Sequence, residues 1–216
     1  MELKTKDFIE IEFTGKTEEG EIFDSNRKED LSSNAKAQAE PFIFCLGEGM
    51  FLKGVEDYLI GKEIDNYEIN LSPESAFGKR NPSLVRILPL KVFRENNLNP
   101  VPGVMFNFDG RLAKVLSVSG GRVIADFNNP IAGKNVVYNV KVMRKVDDAN
   151  EKARALIQFF FRRDLKFEIK DKKLIIEIEK EFKQFADLLK DKFKEILELD
   201  LEIKEIEMKK VEEKEN

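Results

Sequence analysis

The chain has 216 residues, with 37 Lys and Arg against 41 Asp and Glu, so its formal net charge is −4. This acidic balance disfavours an electrostatic nucleic-acid binder, and no apolar run approaches the ~20 residues that a membrane-spanning helix needs. The charged stretch at residues 1–7 lacks the apolar core of a secretory signal, so we expect a soluble, cytoplasmic protein. Because domains usually have ~100–150 residues, this length predicts two or three structural units.

The residue types that are missing restrict the chemistry further. The chain has no His and one Cys, which excludes Ser–His and Cys–His catalysis, His-ligated metals, Cys-rich zinc sites and an intrachain disulfide. Cys45 lies in an apolar run and is interpreted as an inert core residue. The glycine-containing stretches at 47–52 and 56–63 match neither a dinucleotide-binding fingerprint nor a P-loop. We therefore expect no metal site and no cofactor.

The first 83 residues combine short strand patterns with one helix pattern. Leu52, Val55 and Leu59 lie on one face of a short helix that ends at the following glycine. The polar stretch 25–40 is a long loop, and long loops in compact domains tend to be functional or disordered. A strand at 136–146 completes what we predict to be one antiparallel sheet crossed by a short helix, an α+β unit. Alternating apolar residues predict its other strands at 7–13, from 22 onward, at 41–46 and at 67–71.

The segment 85–127 has a different residue pattern from the sequence on either side of it, and we predict that it is a small β-rich insertion. A helical turn at 89–96 precedes a hairpin around Asp109-Gly110 and a third strand at 122–127. So small a unit buries apolar side chains poorly, and an exposed apolar patch usually marks a binding surface. A small closed core is the alternative, and it accounts for about half of the apolar residues here.

The last third of the chain predicts a second α+β unit in the order helix–strand–strand–helix–strand. Asp148 and Glu151 form a capping-box pattern at the start of its first helix, and two strands alternate around Asp171-Lys172. A final strand at 199–208 slips out of phase after Ile203, which indicates a bulge, and a charged tail follows. The second helix is marked by an amphipathic stripe of Phe182, Phe185, Leu189, Phe193 and Ile196.

Exposed strand edges and a generous apolar stripe lead us to expect that this C-terminal unit pairs with a second copy as a C2 homodimer. A monomeric module that contacts clients or the ribosome is the alternative.

Phenylalanine is unusually frequent, with 18 Phe and no Trp in 216 residues. One interpretation is ordinary core filling. The other is an apolar pocket walled by aromatic rings, and periodicity alone does not decide between them. The Phe residues of the first unit are Phe13, Phe23, Phe42, Phe44, Phe51 and Phe77, besides Phe8 in the first strand.

Several of these residues lie in short stretches whose order along the chain resembles the FKBP-type peptidyl-prolyl cis-trans isomerase family. The insertion, which returns through residues 129–133, resembles the insert-in-flap domain of the SlyD-like branch. The C-terminal extension resembles the long archaeal type. The stretches are Phe13-Thr14-Gly15, Ile22-Phe23-Asp24-Ser25, Pro41-Phe42-Ile43-Phe44, Leu46-Gly47, Phe51-Leu52-Lys53-Gly54-Val55-Glu56 and Ala76-Phe77-Gly78, with Val136-Val137-Tyr138-Asn139-Val140 as the closing strand.

The resemblance implies a domain organisation and a set of site residues. A half-barrel sheet wrapped on the short helix is expected at 1–84 and 128–148, an inserted small β-rich domain at 85–127 and a C-terminal α+β domain at 149–216. The implied catalytic residues are Phe23, Asp24, Leu52, Val55, Phe77 and Tyr138. The implied substrate contacts are Phe13, Phe42, Phe51 and Ile131 in the pocket, and Val85, Leu88, Phe93, Val104 and Phe106 on the insertion.

Three departures from the family pattern affect the implied pocket. Val55 stands where the family often has Trp, and Phe13 and Phe77 stand where it often has Tyr. Losing the two hydroxyls removes two hydrogen-bond donors, so we expect weaker macrocycle binding but a preserved pocket. Leu52 is expected to present its backbone N–H to a substrate carbonyl. Asp24 is expected to orient the amide at the rim, with a turn-capping role as the alternative.

The resemblance implies a prolyl isomerase that also acts as a folding chaperone on unfolded or partly folded proteins and proline-containing peptides. One alternative is a non-enzymatic holdase whose pocket merely binds apolar or proline-containing segments. Another is an assembly scaffold that works through the C-terminal unit. Turnover of a cis-proline peptide distinguishes the enzyme from both.

Overall fold

The computed structural model describes residues 2–30, 42–108 and 110–206. The predicted loop at 25–40 falls partly outside them, as do Pro41, Asp109 of the predicted hairpin turn, the last two residues of the predicted final strand and the charged tail. The chain divides into two compact units. The first takes the described residues within Met1–Gly15, Ile22–Ile69 and Tyr138–Asn216, and the second those within Lys16–Glu21 and Asn70–Val137.

Mixed α+β structure with short helices characterises the described chain. Its strands are β1 (Phe8–Thr17), β2 (Ile22–Ser25), β3 (Phe42–Cys45), β4 (Asn66–Leu71), β5 (Val85–Pro89), β6 (Met105–Phe108), β7 (Arg111–Ser119), β8 (Arg122–Asp126), β9 (Val136–Lys145), β10 (Phe167–Lys170), β11 (Lys173–Glu179) and β12 (Asp200–Ile206). Its α-helices are α1 (Lys53–Leu59), α2 (Leu90–Glu95), α3 (Ala149–Phe161), α4 (Lys183–Leu188) and α5 (Lys190–Leu197). None of these helices is both long and apolar enough to cross a membrane.

The first sheet has five strands in the order β2-β1-β9-β4, with β3 paired to β1. The pairing of β1 with β3 is antiparallel and sets Ile11 opposite Phe42. As the alternation predicts, Ile9, Ile11 and Phe13 are buried, while Glu10 between them keeps partial exposure. This register places two of the predicted pocket phenylalanines on neighbouring strands.

Helix α1 forms where the sequence predicts it, since Val55 and Leu59 lie one turn apart and are both fully buried. Leu52 is its N-cap and has extended backbone angles. Gly61 follows the helix with a φ of +83°, a conformation that favours glycine. The Gly61 N–H then donates to the Leu3 carbonyl at 2.7 Å, which ties the end of the helix to the start of the chain.

Helix α3 is capped by Asp148, whose carboxylate accepts from the N–H groups of Asn150 and Glu151 at 2.9 Å each. The reciprocal half of the predicted capping box is absent, because the Glu151 carboxylate accepts from Arg144 instead. The predicted helix itself forms, with apolar side chains along one face. Ala153, Leu156 and Ile157 are buried and Phe160 is partly buried.

The C-terminal sheet has the order β10-β11-β12. The hairpin predicted at Asp171-Lys172 forms, with both residues at positive φ as a tight two-residue turn requires. Strands β11 and β12 are parallel and stay in register to Ile206, so the bulge expected after Ile203 is wrong. The alternation of apolar and polar residues is lost there because the last residues of the strand are exposed, and no residue is inserted.

The single helix predicted across 182–196 is also wrong, since it divides into α4 and α5 at Leu189. Phe193 and Ile196 are buried, and the Phe193 ring packs 5.7 Å from the Phe160 ring of α3. Phe182 and Phe185, by contrast, are exposed. The helix is interrupted at Leu189, so the apolar residues before and after Leu189 do not face the same core.

The second unit contains a four-stranded sheet in the order β5-β8-β7-β6, with every pairing antiparallel. The helical turn, the hairpin and the third strand follow the prediction. Strand β5 was not predicted. Fully buried Phe93 of α2 packs on Val115 and Val123, and partly buried Leu88 and Phe106 surround this core. The small closed core that the sequence left as an alternative therefore exists on one face of this sheet.

Candidate functional site

Five aromatic rings of the first unit form one cluster centred on Phe51. The Phe51 centroid lies 4.9 Å from that of Phe13, 5.3 Å from Phe42, 5.5 Å from Phe44 and 5.7 Å from Tyr138. Contacts of this length are favourable edge and tilted aromatic pairs. Strands β1, β3 and β9 and the turn before α1 thus bring together most of the phenylalanines that the sequence proposed for a pocket.

The expected site residues in and beside this cluster fall into two groups by their exposure. Phe23, Phe42, Phe51 and Leu52 are half-buried and retain surface that a ligand can reach. Val55 and Tyr138 have relative exposures of 0% and 1%. Almost none of either side chain is exposed in this conformation, so their expected role as substrate contacts stays a prediction. The Tyr138 ring packs against the rings of Phe23 and Phe51, with centroids 5.9 and 5.7 Å apart.

Gly15 on β1 permits the close packing of two aromatic rings. A Cβ atom there would lie 3.0 Å from the Tyr138 ring and 3.1 Å from the Phe23 ring. The centroids of these two rings are 5.9 Å apart in a T-shaped pair. Glycine at this position thus lets the two rings pack this closely without displacement.

Asp24 follows Phe23 on β2 and keeps an exposed edge, although surrounding protein partly desolvates its carboxylate. That desolvation raises the pKa of Asp24, and a hydrogen bond from the Ser25 backbone only partly offsets it. Burial, with a smaller contribution from the Asp24 charge, also raises the pKa of Tyr138. Asp24 is thus a charged group beside the buried tyrosine, at the edge of the ring cluster.

The residues after Asp24 are fastened to β1 by side-chain hydrogen bonds. Asn26 accepts from the Phe13 N–H at 2.7 Å and donates to the Ile11 carbonyl at 2.9 Å, which imitates a neighbouring strand. Asp30 accepts from the hydroxyls of Thr14 and Ser25, and these two bonds lower the pKa of Asp30. The polar sequence of this stretch predicts a loop and indicates neither of these two anchors.

Glu56 is a buried carboxylate that organises the turn before α1. Its oxygens accept from the N–H groups of Gly47 at 2.8 Å, Gly49 at 3.2 Å and Phe51 at 2.7 Å. Sequence reasoning gave Glu56 no role, yet it occupies the i+4 position of the stripe that begins at Leu52. A charge within an apolar helical stripe is the signal that would have found it.

The next N–H along this turn differs from those three. Within residues 2–30, 42–108 and 110–206, the Leu52 N–H donates to no other group, whereas its carbonyl accepts from Val55 and Glu56 at the start of α1. The Leu52 side chain is half-buried beside Phe51 in the sequence. A backbone donor is therefore available next to the ring cluster.

The same turn is also held from the C-terminal part of the first unit. Lys192 of α5 lies 2.5 Å from the nearly buried Glu48 carboxylate, and this bond raises the pKa of Lys192. The Met50 sulfur accepts from the Cys45 N–H at 3.3 Å. Cys45 is fully buried as expected, and burial raises the pKa of its thiol to about 12, which keeps it a thiol.

The remaining expected site residues lie in the second unit. Phe77 and Ile131 are half-buried, and the Gly133 N–H donates to the Gly78 carbonyl at 2.8 Å, which joins their two segments. Of the five expected capture residues on the insertion, Val104 is exposed, and Val85, Leu88 and Phe106 are partly buried.

Phe93 differs from the other expected capture residues, because it is fully buried. Its ring is the centre of the small core and has no exposed surface, so it cannot present itself to a client. The five expected capture residues do not include the apolar side chains that the sheet turns outward. Ile87 on β5 and Leu112 on β7 are 64% and 58% exposed, and Leu116 is exposed as well. Strand alternation places these side chains opposite the face that packs on Phe93.

Among the described residues, no group of three His, Cys, Asp or Glu side chains is arranged to hold a metal ion.

Comparison with known proteins matches two family models to the chain. The model described as FKBP-type peptidyl-prolyl cis-trans isomerase matches residues 1–93, and the model described as FKBP26, IF domain matches residues 86–131. Both matched stretches lie outside the C-terminal extension.

Three relatives of this chain are named as peptidyl-prolyl cis-trans isomerases. The short-type peptidyl-prolyl cis-trans isomerase of Methanocaldococcus jannaschii is 26% identical over 145 residues, which are 65% of this chain and 92% of that protein. The probable FKBP-type 16 kDa peptidyl-prolyl cis-trans isomerase of Pseudomonas fluorescens is 34% identical over 107 residues, covering 48% of this chain and 71% of the relative. The FKBP-type peptidyl-prolyl cis-trans isomerase SlyD of Treponema pallidum is 29% identical over 164 residues, covering 74% and 86%.

Proposed function

The chain belongs to the FKBP-type peptidyl-prolyl cis-trans isomerase family, and on that premise we propose that it rotates Xaa-Pro bonds at the ring cluster of the first unit. The aromatic cup, as we call it, consists of Phe23, Phe42, Phe51 and Leu52 with Asp24 at its edge. The observation that carries the proposal is the coincidence of half-buried rings with a Leu52 backbone N–H that donates to no other group within the described residues. Apolar walls with few convergent polar groups are typical of ligand sites.

The chemistry requires no nucleophile and no proton transfer. An Xaa-Pro amide rotates over a barrier of roughly 18–20 kcal/mol because twisting removes its resonance, and the uncatalysed reaction takes tens to hundreds of seconds. The twisted amide is less conjugated and its carbonyl less polarised than in the planar form. Apolar walls favour this less dipolar form, and a preference for the twisted over the planar state is what accelerates the reaction.

In this proposal each reachable group has a separate task. The rings of Phe23, Phe42 and Phe51 surround the proline ring, and the Leu52 N–H donates to a substrate carbonyl. The Asp24 carboxylate orients the amide or a neighbouring donor of the substrate. Phe77 and Ile131 remain proposed substrate contacts.

Isomerase kinetics on single variants test the cup. Phe42→Ala removes a half-buried wall and is expected to lower kcat/KM about tenfold, since burying a phenyl ring is worth roughly 1.5–3 kcal/mol and this ring is only partly buried. Tyr58→Ala is the matched control, because Tyr58 is exposed and packs 5.9 Å from Tyr67 outside the cluster. Equal activity of the two variants would refute the assignment of the cup.

We further propose that the insertion captures unfolded chains and so gives the protein a chaperone function. The outward face of the second sheet exposes Ile87, Leu112 and Leu116, and an exposed apolar face of this kind suits non-specific binding of apolar segments. Capture at one site raises the effective concentration of prolines at the other without any new contact. The non-enzymatic holdase remains the alternative, and it predicts capture without turnover.

The double variant Ile87→Ser and Leu112→Ser tests capture. Both side chains are exposed, so the change in stability is expected to stay within about 0.5 kcal/mol. Catalysis of a proline-limited refolding reaction should fall severalfold, while kcat/KM on a tetrapeptide stays unchanged. Equal losses on both substrates would contradict a capture role.

We also propose that this protein is cytoplasmic and that it forms a homodimer through its C-terminal domain. Phe182, Phe185 and Leu188, the last 81% exposed, form an apolar surface on and beside α4 that a second copy would cover. Sedimentation of the Phe185→Ser and Leu188→Ser double variant should give a monomer where the parent chain gives a dimer. An unchanged sedimentation coefficient would reject this interface.

A further inference from the structure

A groove of about 560 Å³ runs between strand β3 and helix α3 in the first unit. Phe42 and Met50 line its apolar floor on one side, and Ala155 and Phe159 of α3 line the other. Arg154 and Arg162 stand along its edge. Apart from Phe42, the residues that line the groove are not members of the aromatic cup.

The groove and the aromatic cup share one wall. The Phe42 ring lies 6.0 Å from Phe13 and 5.3 Å from Phe51 within the cluster, and Phe42 also lines the groove. A polypeptide whose proline occupies the cup and whose backbone passes over Phe42 therefore enters the groove. This continuity makes the flanking segment of the same substrate the occupant that fits the groove.

The charges along the groove are predominantly positive. Arg162 ends α3 in a left-handed conformation and stacks 5.3 Å above the Phe159 ring, and in the described part of the chain it has no carboxylate partner. Arg154 is largely exposed and lies 4.0 Å from Asp164, the limit of an ion pair.

The acidic side chain that lines the groove is already neutralised. Glu151 accepts from both terminal nitrogens of Arg144, at 2.9 and 2.8 Å. Gln158, also in the lining, is uncharged and donates to Asp164 at 2.8 Å. Among the described residues that line the groove, an incoming carboxylate thus meets two guanidinium groups over an apolar floor and no unpaired acid.

We propose that this groove is a substrate subsite that binds the residues flanking the isomerised Xaa-Pro bond and selects segments that combine acidic with apolar side chains. The inference rests on the proposed isomerase function and adds a substrate preference to it. Guanidinium groups bind carboxylates with directed hydrogen bonds, and the apolar floor accommodates the neighbouring side chains.

The test compares peptides that differ only in their flanks. Three twelve-residue peptides each contain one central Leu-Pro bond, with flanks rich in Glu, Gln or Lys, and an Ala-Leu-Pro-Phe tetrapeptide is too short to fill the groove. The parent protein should process the Glu peptide with a kcat/KM about 3- to 10-fold above the Gln peptide, mainly through KM, as expected for two partly exposed charges. Salt near 1 M should remove most of this difference.

Variants then assign the preference to the groove. Arg154→Gln with Arg162→Gln should abolish the Glu-over-Gln difference and leave the tetrapeptide rate unchanged. Lys170→Gln with Lys180→Gln removes the same charge from exposed positions outside the groove and should keep the difference.

Three outcomes would overturn the inference. Turnover of the tetrapeptide with equal kcat/KM for the Glu, Gln and Lys peptides would reject the subsite but leave the isomerase function standing. A change of oligomeric state in the arginine variant would make the groove an interface between copies instead. No turnover of the tetrapeptide by the parent protein would refute the proposed function itself, and this inference with it.

Discussion

Replacing Glu56 by glutamine should loosen the turn that carries Phe51 and Leu52. The carboxylate accepts three backbone hydrogen bonds, from Gly47, Gly49 and Phe51. Gly47 and Gly49 donate to one carboxylate oxygen and Phe51 donates to the other, so glutamine loses one or two of the three bonds and turns an NH₂ group toward N–H donors. A hydrogen bond to a charged group contributes roughly 1.5–3 kcal/mol.

The full loss is discounted because Gly47 and Gly49 are exposed and their N–H groups can bind water instead. We therefore expect Glu56→Gln to lower the free energy of unfolding by about 2–4 kcal/mol. Since the turn also positions the Leu52 N–H, kcat/KM should fall about tenfold or more, because a displacement near 1 Å can cost about a hundredfold.

Urea denaturation followed by circular dichroism measures the stability, and amide hydrogen exchange at Gly47, Gly49 and Phe51 localises the loss. Asp57→Asn is the matched control. Asp57 is the next residue on α1, is largely exposed and pairs with Lys53 at 2.5 Å, so its loss should cost less than about 0.5 kcal/mol. If Glu56→Gln is no less stable than Asp57→Asn, the reasoning about the buried carboxylate is refuted.

Three further predictions concern charge and close packing. Partial burial raises the pKa of Asp24 above its ordinary 3.8, so the acid limb of kcat/KM should lie above pH 3.8. That limb should vanish in Asp24→Asn, which should also be slightly more stable at neutral pH; an identical pH profile would contradict this. Burial opposes ionisation of Asp126, but hydrogen bonds from Asn128 and Arg80 bring its pKa below 3.8. Its stabilising contribution is present above the unfolded pKa and lost as pH falls through the folded value. Asp126→Asn should therefore weaken the second unit at pH 7 and differ little from the parent in strong acid, as acid titration by circular dichroism would show. Gly15→Ala should cost about 1–3 kcal/mol by thermal denaturation, because its methyl group meets two rings at 3.0 and 3.1 Å; a neutral effect would show that the rings can yield.

Local periodicity was sufficient to predict most of the elements. Ile9, Ile11 and Phe13 alternate in sequence and are all buried in β1, and Val55 and Leu59 mark α1. The hairpin at Asp171-Lys172 follows from the alternation of apolar residues on either side of this turn. These features depend on neighbours within a few positions, which is what a sequence pattern records.

Features set by distant partners were not predictable in the same way. Whether Phe93 faces a client or a core depends on Val115 and Val123, and whether Phe185 is buried depends on where α4 ends. The three amides that Glu56 holds are five to nine residues away. For the site, the sequence could therefore name the aromatic residues, whereas their division into reachable walls and buried supports required the structure.

The central claim is that the aromatic cup accelerates rotation of an Xaa-Pro bond while the Leu52 N–H binds the substrate. Exchange NMR on a Leu-Pro tetrapeptide, recorded with catalytic amounts of ¹⁵N-labelled protein, observes both partners at once. We predict a cis–trans exchange time well below the tens of seconds of the uncatalysed reaction. We also predict a chemical-shift change of the Leu52 amide that saturates as peptide is added. Exchange at the uncatalysed rate, or full catalysis with an unmoved Leu52 amide, would contradict the account.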